Sequence, residues 1–191
     1  MAKQIRIGGS DIPTLLGINP FKTYYDLLLE KSGYQDCPFE ANEYTKFGID
    51  IEPKIRNFVN ETYYKEDIFK VDDKWENDKG FVSKVDGKNS NKILEIKSTS
   101  KVEQELSGYR SYLVQLLFYM WRYDIDEGVL AVYARPADFD TTFCSGNLQI
   151  FSVVAGDYQS EYEEISKAIM KFWVNIKQLE SNPFLLESEL I

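Results

Sequence analysis

The chain has 191 residues, 43% of them hydrophobic and 28% charged, enough apolar material for a real core in a soluble domain. With 31 Asp+Glu against 22 Lys+Arg, the formal net charge is -9, which excludes a protein that coats nucleic acid through bulk positive charge. The absence of histidine excludes Ser-His-Asp and Cys-His nucleophilic sites, HExxH zinc centres and histidine-based nucleases. A local basic groove or a carboxylate-rich metal site remains open.

Two cysteines, Cys37 and Cys144, are too few for a four-cysteine zinc or iron–sulfur site. They fit a reduced, cytoplasmic setting. No apolar run reaches the ~18 residues of a membrane span, and MAKQIRIGGSD carries no signal-peptide stretch. Neither a repeat nor a Pro/Ser-rich linker divides the chain, so one domain is expected over residues 1–191. Charge is uneven: residues 36–78 hold twelve acidic and six basic residues.

In chain order, IGGSDIPTLLG reads as a Gly-rich turn and a short helix capped by Ser10, with Pro13 in its first turn. TYYDLLLEKSG predicts a second helix, capped by Thr23, with Asp26 in the first turn and Gly33 closing it. Residues 36–47 read as loop. A longer helix is expected from about Asp50 to Tyr64, with Ile51, Ile55, Phe58, Val59 and Thr62 as its buried stripe and Glu52 on the margin. Three strands follow, Ile68–Asp72, Gly80–Asp86 and Lys92–Ser98, the last two joined by a GKNSN turn. SYLVQLLFYMWRY is apolar almost all round, a mostly buried helix with Gln115 as its polar intruder. Strands Glu127–Ala134 and Leu148–Val154 precede a last helix from about Tyr158 to Leu179. It buries Tyr162, Ile165, Ile169, Phe172, Trp173 and Ile176. The order predicts an α/β fold, a central mixed sheet flanked by helices.

The segment FVSKVDGKNSNKILEIKSTS carries the chemistry. Strand alternation puts Glu95 and Lys97 on one face with Ile93, and Leu94 and Ile96 on the other. An acid and a base on a buried strand are costly unless paired or metal-bound. Asp86 ends the preceding strand and can sit across from Glu95. Two carboxylates and a main-chain carbonyl make a hard oxygen site suited to Mg²⁺ or Mn²⁺. A metal there polarises a phosphodiester and generates hydroxide, and Lys97 orients the water or counters charge on the phosphate. By themselves Glu95 and Lys97 also fit a solvated surface pair. Glu52 also fits a dipole-favoured helix acid, Gln115 a buried backbone partner and Ser10 a plain N-cap.

IGGSD at 7–11, GIDIE at 48–52, KVDG at 84–87 with LEIKS at 94–98, and Tyr112-Leu113-Val114-Gln115 with Met120-Trp121 resemble, in order, the motifs of the PD-(D/E)XK nuclease superfamily. The branch they resemble is that of lambda-type phage recombination exonucleases. The resemblance implies a restriction-endonuclease-like core. It implies Asp86 and Glu95 as metal ligands with the Ile96 carbonyl, Lys97 as the catalytic lysine, and Glu52 completing the site directly or through water. Ser10 would lie near the 5′-phosphate. It further implies Mg²⁺-dependent 5′-to-3′ digestion of one strand of duplex DNA, a ring-shaped homotrimer and a phage single-strand annealing protein as partner. Three departures stand out. Val85 replaces the usual proline. Leu117 occupies the second glutamine position of a Q-x-Q pattern: Gln115 fills the role if the working glutamine is the first, and the site lacks it if the working glutamine is the second. Lys3 and Arg6 are the only cations where the family places a phosphate-binding arginine.

Two other functions fit the same residues. One is a structure-specific or restriction-like endonuclease, separable by its action on closed circular DNA. The other is a non-catalytic DNA-end or protein-binding module on a degenerate nuclease fold. A ring would turn the acidic helices outward and set Lys3, Arg6, Lys84, Lys88, Lys97 and Lys101 along the DNA path.

Overall fold

A computed structural model describes residues 5–35, 41–71, 76–78 and 80–182. In chain order these form β1 (Ile7–Gly8), α1 (Ile12–Leu15), α2 (Tyr24–Ser32), α3 (Glu43–Tyr63), β2 (Glu76–Asp78), β3 (Phe81–Ser83), β4 (Gly87–Lys88), β5 (Lys92–Thr99), α4 (Arg110–Tyr123), β6 (Glu127–Ala134), β7 (Leu148–Val154) and α5 (Gln159–Ser181).

The central sheet runs β4-β5-β6-β7. β5 and β6 are parallel, in a register that sets Glu95 beside Leu130 and Lys97 beside Val132. β4 and β7 are antiparallel to their neighbours. A parallel pair needs a crossover, and α4 supplies it. Ile93, Leu130, Val132 and Val153 share one hydrophobic cluster with Leu113, Val114, Leu117, Ile165, Ile169 and Phe172 of α4 and α5. On the other face, Leu94, Ile96, Val129, Ala131 and Tyr133 cluster with Phe47, Ile51, Ile55 and Val59 of α3. The result is the expected mixed sheet between helical layers.

Several boundaries differ from expectation. α3 begins at Glu43, not near Asp50. Asn42 accepts the Thr45 N–H at 3.0 Å as an N-cap, and Phe47 adds a turn to the buried stripe, so residues 43–47 are helix rather than loop. Thr62 is exposed and Phe58 half-buried, because the sheet contact is carried by the Phe47–Val59 row. Residues 36–40 lie outside the described residues.

The strand expected at Ile68–Asp72 reduces to one bridge between Lys70 and Lys88, and Asp72 is outside the described residues. The strand expected at Gly80–Asp86 is shorter, and it pairs with β1 and β2 in a separate three-stranded sheet. The expected GKNSN turn is shorter too. Gly87 and Lys88 pair with β5, and Asn89 forms the bend by accepting the Lys92 N–H at 2.8 Å on its own side chain.

Ser10 is not the cap expected of it. Its side chain is exposed, and Asp11 closes the turn by accepting the Gly8 N–H at 2.8 Å. α2 matches its reading: Thr23 and Asp26 form a capping box and Gly33 ends the helix in the left-handed region. α5 also buries Asn175, whose amide donates to the Tyr24 hydroxyl at 2.8 Å. Among the described residues no helix is long and apolar enough to cross a membrane.

Candidate active site

β4 is only two residues long and pairs with Ile93 and Leu94. From Glu95 onward that edge of β5 has no partner strand among those described. Asp86 stands at this gap, and its carboxylate accepts the Ile96 N–H at 2.7 Å. The N–H and C=O of one strand residue point to the same edge, so the Ile96 carbonyl faces the gap as well.

Glu95 is 2% exposed and Lys97 25%, and the Lys97 amino group lies 2.7 Å from Glu95 Oε1. Glu95 is buried and Lys97 half-buried, so this is not the solvated surface pair of the alternative reading. Glu95 Oε2 is buried with no hydrogen-bond partner. An orphaned carboxylate oxygen is expensive in a protein interior. The Glu95 charge acts on Asp86, and two carboxylates with the Ile96 carbonyl make a donor set that fits a hard divalent cation. Among the described residues no group of three His, Cys, Asp or Glu side chains is gathered closely enough to hold an ion. Carbonyl and water oxygens would have to complete such a shell, as Mg²⁺ commonly allows.

Glu52 comes from α3, the helix packed on one face of the sheet. Its charge acts on both Asp86 and Glu95. Its Oε1 accepts from Arg56 Nη1 at 2.7 Å, and the same nitrogen donates to the Asp86 carbonyl at 2.7 Å. Arg56 is 12% exposed on its side chain and ties α3 to the end of the Asp86 loop. The sequence reading overlooked Arg56, although its i,i+4 spacing from Glu52 is the usual signal for such a pair.

Gln115 and Tyr119 lie one turn apart on α4, and the Gln115 amide donates to the Tyr119 hydroxyl at 3.3 Å. The charges of Glu95, Asp86 and Asp11 all act on Tyr119, so this tyrosine links the carboxylate site to the N-terminal turn. Gly9 explains the glycine of IGGSD: a Cβ there would lie 2.5 Å from the Tyr119 ring. Asp11, next to it, pairs with Lys31 of α2 at 2.7 Å. Ser10 is exposed on the turn that abuts Tyr119, and Arg6 is exposed just before β1. Lys3 lies outside the described residues. Of the other expected groove cations, Lys88 sits over the Tyr123 ring and Lys101 pairs with Glu103 at 2.8 Å. Tyr109 is buried with its hydroxyl bonded to Gln149.

Burial, then the neighbouring Glu95 charge, pushes the Asp86 carboxyl well above its ordinary value; Lys97 opposes the shift. Burial raises Glu95 too, against the pull of Lys97. For Lys97, burial lowers the ammonium, but the Glu95 and Asp86 charges outweigh it and the net shift is upward. Two acids raised by burial beside one firmly protonated amine form a perturbed cluster of the kind that marks candidate functional sites.

A mixed sheet flanked by helices in this order is the restriction-endonuclease-like architecture. The model for the YqaJ-like viral recombinase domain matches residues 1–125, and the chain belongs to that family. No curated protein matches it. Among solved structures it is similar to a phage-related exonuclease from Haemophilus somnus 129PT, at 16% identity and a TM-score of 0.66, covering 94% of this chain and 96% of that one. It is also similar to the alkaline exonuclease LHK-Exo from Laribacter hongkongensis, at 15% identity and a TM-score of 0.57, covering 95% and 94%. The same enzyme in complex with dAMP gives 0.59 at the same identity and coverage. These likenesses establish the fold.

Proposed function

We propose that the chain is a divalent-metal-dependent deoxyribonuclease that digests linear duplex DNA from its ends, 5′ to 3′, in phage-type recombination. The observation that carries this reading is the unpartnered, buried Glu95 Oε2, with Lys97 on the other oxygen and the Glu95 charge acting on Asp86. Membership of a viral recombinase family supports it. So does the fold shared with an alkaline exonuclease solved with dAMP, a deoxynucleoside monophosphate of the kind such digestion releases.

Asp86, Glu95 and the Ile96 carbonyl would hold Mg²⁺, or Mn²⁺ in its place, with Glu52 joining directly or through water. A bound divalent ion supplies Lewis acidity toward the phosphodiester and lowers the pKa of a bound water. Arg56 fixes the Glu52 carboxylate and the Asp86 main chain. Lys97 holds the attacking water or counters the charge that grows on the phosphate oxygens. Gln115, through the Tyr119 hydroxyl, ties this centre to the N-terminal turn, where Ser10, Arg6 and Lys3 would meet the DNA backbone. A homotrimer around duplex DNA, an annealing-protein partner and action in the host cytoplasm complete the reading.

Incubation with Mg²⁺ and either linear or covalently closed duplex DNA tests it. Release of nucleotides from the linear form alone, abolished by EDTA, is expected. Cleavage of closed circles would show an endonuclease instead, and no cleavage of either form would favour a binding module.

A further inference from the structure

We propose that Arg135 is a phosphate anchor for the DNA strand that enters the candidate active site, an assignment that rests on the nuclease reading above. Arg135 follows the last residue of β6, and its N–H donates to the Thr99 carbonyl at 2.8 Å, so it stands level with the end of β5. Its guanidinium carbon lies 4.2 Å from the centre of the Phe139 ring and 4.7 Å from that of Tyr44. The two rings meet edge to face with centroids 5.2 Å apart and form a corner that holds the cation. Phe139 adopts φ 57, a left-handed conformation that a bulky residue rarely takes. Its N–H bonds back to the Pro136 carbonyl at 3.2 Å, so this turn brings the ring over Arg135.

Among the described residues Arg135 has neither a carboxylate partner nor a side-chain hydrogen bond. That is unusual in a chain with nine more acidic than basic residues. Aromatic faces hold a guanidinium without consuming its N–H donors, which lie in the plane of the group. A rigid guanidinium with free donors is the arrangement that recognises a phosphate in bidentate fashion.

The position relative to the carboxylates is set by α3. Tyr44, Gly48, Glu52 and Arg56 recur every four residues and so form one inclined ridge along the helix. Arg56 bonds the Asp86 carbonyl, a Cβ on Gly48 would lie 3.8 Å from Ser98 Oγ, and Tyr44 holds Arg135. The row therefore tracks β5 from the acids to its end. Eight residues of helix separate Tyr44 from Glu52, about 12 Å. That is roughly three nucleotides of a duplex strand. Tyr44 is 54% exposed, so the corner opens to solvent.

The test is the salt dependence of binding, measured by fluorescence anisotropy with the full chain, a labelled blunt duplex and Ca²⁺ in place of Mg²⁺. Arg135→Gln keeps a planar group between the rings but removes the charge. It should weaken binding and reduce the slope of log Kobs against log[NaCl] by about 0.9, one phosphate contact. Arg135→Lys should retain the wild-type slope. An unchanged slope in Arg135→Gln, or a collapse of its melting temperature, would overturn the assignment and leave Arg135 as a prop for the 136–139 turn. Failure of the wild type to bind DNA would instead overturn the nuclease reading, and this site with it.

Discussion

The Asp86 carboxylate accepts the main-chain N–H of Ile96 at 2.7 Å. One side chain thus closes the ladder where β4 ends and places an acid beside Glu95. That position is costly for a charge, and the upward shifts of both carboxyls express the cost.

A stability prediction follows from those shifts. An acid raised above its unfolded value of 3.8 binds more protons in the native state than in the unfolded one. Stability then falls as pH rises from about 4 toward the raised native value. Glu95 acts in the same sense, whereas the raised Lys97 contributes stability that is lost only in alkali. The metal-free protein should therefore melt lower at pH 8 than at pH 5.5. Asp86→Asn, which can still accept the Ile96 N–H, should melt higher than wild type at pH 8 and be inactive. Thermal melts across pH with EDTA check this, and Mg²⁺ at pH 8 should raise the wild-type melting temperature but not that of Asp86→Asn.

Lys97→Ala should cost at least about 100-fold in digestion rate if the ammonium stabilises charge in the transition state. It also strips a buried acid of its partner, at roughly 3–5 kcal/mol. Adding Glu95→Gln should recover much of that stability without recovering activity. Urea melts of the two single variants and the double variant read the coupling.

Arg56→Gln removes two hydrogen bonds from a charged donor, each worth about 1.5–3 kcal/mol. The expected result is lower stability together with a higher Mg²⁺ concentration for half-maximal activity, because Glu52 and the Asp86 loop lose their shared anchor. Titration of activity against Mg²⁺ separates this from a fold defect, which would lower the maximum rate and leave the midpoint in place.

Gly9→Ala places a methyl 2.5 Å from the Tyr119 ring, and overpacking of this kind costs about 1–3 kcal/mol. Tyr119→Ala should relieve that clash, so the double variant should be more stable than the sum of the single effects predicts. Additive losses in a double-mutant cycle would contradict the contact.

Much of this fold is legible in local chemistry. Strands β6 and β7 match the sequence reading at both ends, because β-rich apolar runs flanked by polar turns leave little choice. The capping box at Thr23 and Asp26 is equally local. Asn42 is hard to read as a cap because Phe47, the first buried residue after it, is isolated in the sequence until the sheet covers it. The separate small sheet depends on β1 meeting β3 across more than seventy residues, which no local pattern encodes. At the site, the strand period put Glu95 and Lys97 on one face. The Arg56 bridge to Asp86 and the Gly9–Tyr119 contact join segments far apart in the chain, beyond the reach of any local pattern.

Asp86, Glu95 and the Ile96 carbonyl are expected to share one divalent cation. Anomalous diffraction from crystals soaked in Mn²⁺ measures this directly. The predicted result is one strong peak about 2.1 Å from an oxygen of each of the three groups, absent in Asp86→Asn crystals. Density elsewhere on the surface, with Glu95 Oε2 still unpartnered, would contradict it.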